Sequence, residues 1–228
     1  MPTVRNDPRI SINSMAEYLG ASASRRQRIV EEQKRPPTFR VNWYQFAQDA
    51  ITSFIVGGCT DESILTNETT RLSRAAPVND YEETRFQTNG EALTSFLDTY
   101  DELDLTGLTI VAGPPDQPKL LYSNVEVSVR PEIHLRGNHP RHGDFTGALK
   151  LFFSKNAPLD ADGAAYTTAV LYCFVQRHLA ASAPARKQQC LVFDVFAGDV
   201  YSTPNASTRR INDVNAACRE IALMWPTA

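Results

Sequence analysis

Residues 190–196 read CLVFDVF, apolar at every position but one. A strand with one wet face alternates apolar and polar residues, whereas a run without alternation belongs to a strand covered on both faces. The segments around it are of the kind that covers a sheet. Residues 160–180 place Ala165, Ala169, Leu171, Tyr172, Val175 and Leu179 at helical spacing, and Asp160 or Asp162 stands where a cap is needed. Residues 207–224 do the same with Ile211, Val214, Ala217, Cys218 and Ile221, starting at Ser207 or Thr208. A buried strand between two such helices points to an α/β architecture.

The rest of the chain fits that frame. Residues 14–33 predict one helix, with Ser14 as cap and Glu17 three residues on as a capping box, stopped by Pro36-Pro37. Residues 41–56 predict a second helix through Trp43, Phe46, Ala47, Ala50, Ile51, Phe54 and Ile55, closed by Gly57-Gly58. Residues 59–80, rich in Thr, Ser, Asp and Asn, read as a long polar connection with room for one short helix. Residues 89–103 are helical again. Residues 108–112 form a short apolar strand, residues 113–116 a turn, and residues 119–130, 132–136 and 146–153 three extended segments, of which Val125-Glu126-Val127-Ser128-Val129 alternates. The helix over 160–180 is long enough for a crossover, so the strands on either side of it are expected to be parallel. The expectation is one α/β domain over 1–228. A mixed central sheet carries a three-strand meander, a crossover helix and a further strand; helices flank it, and residues 1–90 form a mainly helical N-terminal part ahead of an α/β core from 91 on.

Composition excludes some functions. The formal charge of −3 on 228 residues is unlike that of a protein that coats nucleic acid, although one local basic groove is compatible with it. No two of Cys59, Cys173, Cys190 and Cys218 form a C-x-x-C pair, so they read as small apolar residues. The polar start MPTVRNDPRISINS is no signal peptide, and no apolar run approaches the roughly 18 residues of a membrane span. A cytoplasmic protein without membrane contact is expected. No P-loop, G-x-G-x-x-G or G-x-S-x-G motif is present.

Chemistry-bearing residues are densest in 129–155, VRPEIHLRGNHPRHGDFTGALKLFFSK. This stretch holds Glu132, His134, Arg136, His139, Arg141, His142, Asp144, Lys150 and Lys155. His134, His139 and His142 with a carboxylate offer donors suited to zinc, manganese or iron, and a histidine-ligated metal hydrolase is one reading. Another pairs Glu132 on one strand with Lys150 on the next. Asp194 interrupts the apolar run 190–196 and must face a cleft or have a partner, because an unpaired buried carboxylate is costly. Arg209 and Arg210 at the start of the last helix, with the hydroxyls of residues 202–208, form a candidate phosphate contact. Arg25, Arg26, Arg28, Lys34 and Arg35 make the most basic stretch, diluted by Glu31 and Glu32.

The order helix, three strands, helix, strand, with the acid of Pro131-Glu132 on the second strand and Lys150 in Gly147-Ala148-Leu149-Lys150 on the third, resembles the PD-(D/E)XK superfamily. Restriction endonucleases and RecB- and Cas4-type exonucleases belong to it. The resemblance covers about residues 90–228 and rests more on element order than on motif. It implies a metal-dependent nucleic-acid phosphodiesterase in which carboxylates hold Mg²⁺ or Mn²⁺ and a lysine steadies the attacking water or the developing charge. Carried over residue by residue, Glu132 and one of Asp144 or Asp194 would be ligands, with Glu91 a further candidate. Lys150 would act on water or charge, and Arg136, Arg141, Arg209 and Arg210 would hold the nucleic acid. The departure from the pattern is Ala148, which stands where the superfamily has a carboxylate two residues before the lysine. That departure motivates the alternative of a catalytically inactive subunit that assembles with partner proteins in an antiviral or mobile-element system.

Overall fold

A computed structural model describes residues 4–36 and 42–228. In chain order the elements are β1 (Arg9–Ser11), α1 (Ile12–Gly20), α2 (Ala23–Lys34), α3 (Gln45–Val56), α4 (Ser63–Arg74) and α5 (Asp80–Leu97). There follow β2 (Thr109–Ala112), β3 (Leu120–Tyr122), β4 (Val125–Ser128), β5 (Ile133–His139), β6 (Gly143–Phe152), α6 (Ala161–Phe174), β7 (Ala185–Asp194), β8 (Asp199–Ser202) and α7 (Thr208–Met224). The architecture is α/β with a mixed sheet flanked by helices, as the patterning predicts.

The main sheet has the order β2-β5-β6-β7-β8. Its neighbours are antiparallel except β6 and β7, which run parallel across the α6 crossover. A smaller sheet, β1-β4-β3, stands apart. The meander of the main sheet is therefore β2, β5 and β6. Residues 119–130, expected as one of its strands, instead turn back through Ser123 and Asn124, both at positive φ, and form the β3–β4 hairpin of the small sheet. The short strand at 109–112 takes the first place.

Helices cover both faces, which is why residues 190–196 show no alternation. Cys190 and Val192 pack into a core with Ile12, Met15, Tyr18, Leu171, Phe174, Val214 and Ile221. Leu191 and Phe193 pack into a second core with Ile51, Phe54, Leu93, Phe96, Ile133 and Leu149. The N-terminal ninety residues are split between the two: β1, α1 and α2 join the first core, α3, α4 and α5 the second. They do not form a separate lobe.

Four features of the helices differ from expectation. The single helix over 14–33 is two helices, because Ala21 and Ser22 are extended. The carbonyls left open by that break are taken by Arg26, whose Nε donates to Tyr18 O at 3.0 Å and whose guanidinium also donates to Leu19 O at 3.3 Å. The first cap is Ser11 rather than Ser14, its hydroxyl accepting from the Ser14 amide at 3.2 Å. Residues 59–80 hold a full helix, α4, anchored by only two buried side chains, Leu65 and Leu72, seven residues apart and hence on one face. α5 begins at Asp80 rather than 89, capped by Asn79 and carrying Asp80, Glu82 and Glu83 in its first turn, where the helix dipole favours acids. Pro37 and the helix start expected at residue 41 lie outside the described residues. No helix among the described residues is long and apolar enough to cross a membrane.

Candidate functional site

The β5–β6 register pairs Ile133 with Leu149, so Glu132 and Lys150 stand opposite each other one step further on. Their side chains meet at 3.2 Å, Lys150 Nζ to Glu132 Oε1, and the pair is buried, with 10% and 6% of the side chains exposed. This is not the exposed cross-strand pair that contributes next to nothing. Glu132 Oε1 also accepts from Gln48 Nε2 at 3.1 Å, and Oε2 accepts from the Leu151 amide at 2.7 Å. Lys150 donates as well to the Arg130 carbonyl at 3.3 Å. That carbonyl is aimed by Arg130 itself, which sits at φ 49 in the left-handed region. The strand bearing Glu132 is held from its other side by Gly113, whose amide donates to the Glu132 carbonyl at 2.7 Å; a Cβ there would strike the Pro131 carbonyl.

Sheet geometry brings Glu132 and Lys150 together but not the other predicted ligands. Asp144 pairs with Asn138 at the far end of the β5–β6 hairpin, where its carboxylate accepts from Asn138 Nδ2 at 2.7 Å. It lies six positions along β6 from Lys150, about 20 Å at 3.3 Å per residue. Asp194, fully buried, is turned into its own loop: it accepts from the amides of Leu159 at 2.9 Å, Phe196 at 3.2 Å and Ala197 at 3.3 Å. Glu91 is engaged by Lys155 at 2.7 Å. At the position two before Lys150, Ala148 is fully buried against Cys190 and the first core. The residues present therefore do not fit a Mg²⁺ or Mn²⁺ centre: one carboxylate stands at the site and both its oxygens already accept hydrogen bonds. Among the described residues no three His, Cys, Asp or Glu side chains gather into a group that could hold a metal.

The histidines are likewise apart. His134 lies beside Gln117, Nε2 to Oε1 at 3.4 Å, and burial together with Arg136 holds it below the ordinary imidazole pKa. His139 is five residues further along β5, about 16 Å away, stacked on His142 with ring centroids 4.7 Å apart. Desolvation, then Arg186 and His142, push His139 down too. Around this hairpin tip Arg136 and Arg141 are exposed, and Arg186 lies over the Phe145 ring at 5.0 Å. Arg210, at the start of α7, pairs with Asp162 at 3.4 Å, while Arg209 beside it is exposed. The four arginines expected to hold nucleic acid thus fall on two elements, Arg136 and Arg141 around the β5–β6 hairpin and Arg209 and Arg210 at the start of α7.

Four site residues were not found from the sequence. Gln48 reaches Glu132 from α3, and nothing in its neighbourhood in the chain marks it. Arg5, Arg9 and Arg130 line a cleft of about 350 Å³ with Lys150. The signal that could have singled out Arg130 is its place beside Pro131, where a turn leads into β5.

No protein-family model and no curated protein matches the chain.

Proposed function

We propose that this protein is a non-cutting subunit of restriction-endonuclease-like build that binds a nucleic-acid backbone and presents it to partner proteins. One observation carries the reading: the Glu132 carboxylate, which the resemblance would make a metal ligand, is held by three donors, and a buried Ala148 stands where the resemblance would put a second acid. Phosphodiester hydrolysis of this type needs carboxylates free to hold a cation and polarise the phosphate. A single carboxylate locked to a lysine, a glutamine and a backbone amide holds two strands in register instead. Support for a nucleic-acid ligand comes from the cations clustered near this pair and at the hairpin tip, on a chain whose net charge is negative.

The test incubates the protein with labelled single- and double-stranded DNA and RNA in Mg²⁺, in Mn²⁺ and in EDTA, and measures both cutting and binding. Binding without cutting in all three is expected. Metal-dependent cutting that is lost in Lys150→Ala would restore the nuclease reading.

A further inference from the structure

We infer that the cleft beside Lys150, at the first turn of α1, is a phosphate site, formed chiefly by Arg9, Arg130 and Lys150. The inference rests on the reading above for one point, that the phosphate belongs to a nucleic acid. The cleft, about 350 Å³, is lined by Arg5, Arg9, Arg130 and Lys150, with Ser11 and Asn13 among the neutral residues, and no acid lines it. Its size is at the lower end of the range for small-molecule sites, which suits a phosphate carried on one nucleotide.

Separate segments bring the cations there. Arg9 comes from β1, which the small sheet holds parallel to β4; Arg130 follows β4; Lys150 is on β6 of the main sheet. Convergence of like charges is unfavourable unless an anion offsets it. Glu132 offsets Lys150. Arg9, half-buried, and Arg130, exposed, make no ion pair or side-chain hydrogen bond with any described residue. Two arginines without a counter-ion among the described residues, lining one cleft beside a third cation, match the several oxygens of a phosphate better than one carboxylate does. The first turn of α1 borders the same cleft, and its dipole adds to the positive potential.

Arg130 supplies an independent mark. It is one of four non-glycine residues at positive φ among those described, a conformation that disfavours a long side chain. Strain retained at a ligand-facing residue is the pattern expected where the side chain is kept for binding. Arg130→Gly should therefore relieve strain, raising the melting temperature, while weakening phosphate binding. A purely structural arginine would not produce that opposition.

The experiment titrates wild type, Arg9→Gln, Arg130→Gly and the double variant with inorganic phosphate and with a 5′-phosphorylated single-stranded oligonucleotide, across a salt series and with acetate as the control anion. Each single substitution is expected to weaken binding about tenfold, and to lower the slope of log affinity against log salt for the oligonucleotide by about one. If phosphate binds in an arginine-dependent way and the oligonucleotide does not bind, the site stands as one for free phosphate and the nucleic-acid reading falls. If the oligonucleotide binds equally to wild type and the double variant, the site is overturned and the nucleic-acid reading stands. Absence of binding by both probes to wild type overturns the site.

Discussion

Lys150→Met removes one charge and keeps most of the apolar stem. The Glu132 carboxylate is left buried with Gln48 Nε2 and the Leu151 amide as its donors. Breaking a buried pair from one side costs about 3–5 kcal/mol, because the remaining ion is no longer compensated. For a chain of this size each kcal/mol moves the melting temperature by about 2–4 °C, so a fall of about 6–20 °C is expected. The companion variant, Glu132→Met with Lys150→Met, removes both ions and orphans chiefly the Leu151 amide, at about 1–3 kcal/mol. The double variant should therefore melt above Lys150→Met, and the two single variants should be coupled strongly in a double-mutant cycle read by urea midpoints. If Lys150→Met melted within 2 °C or so of wild type with no coupling to Glu132, the pair would not be the structural lock described, and the lysine would have to be explained by function alone.

Two other predictions concern groups once candidates for chemistry. Asp194→Ala leaves three backbone amides without their acceptor and should cost at least about 3 kcal/mol, seen as a lower urea midpoint, with nucleic-acid binding per folded molecule unchanged. His134 is held below its ordinary pKa of 6.5 by burial and Arg136, so the folded state prefers it neutral. Its contribution is present above pH 6.5 and is lost as pH falls through the lower, folded value, because the unfolded chain takes up the proton first. His134→Gln should accordingly flatten the decline of stability between pH 7 and pH 5; an identical decline in wild type and variant would refute this role.

The main sheet and its covering helices were legible because burial on both faces erases alternation, as residues 190–196 show. The polar first half of β7, Ala185–Gln189, carries no such mark: only Ala185 of it pairs with β6, and the register shifts before pairing resumes at Cys190. The small sheet was missed for a similar reason: β1 has three residues, too few for a period to show. α4 was hidden because two buried leucines, with Ile64 partly buried beside them, suffice to dock a helix that is otherwise mostly polar. At the site, Glu132 and Lys150 were legible since two strands joined by a hairpin place them across from each other. The partners of Asp194 were not, because backbone amides have no sequence signature. Nor was the left-handed turn at Arg130, a conformation that glycine or asparagine would have announced and arginine does not.

The most direct test of the account is the cleavage assay on labelled DNA and RNA in Mg²⁺, Mn²⁺ and EDTA, with Glu132→Gln beside wild type. The account predicts binding and intact substrate in every condition, for wild type and variant alike. Cutting by wild type that needs the metal and disappears in a folded Glu132→Gln variant would contradict it.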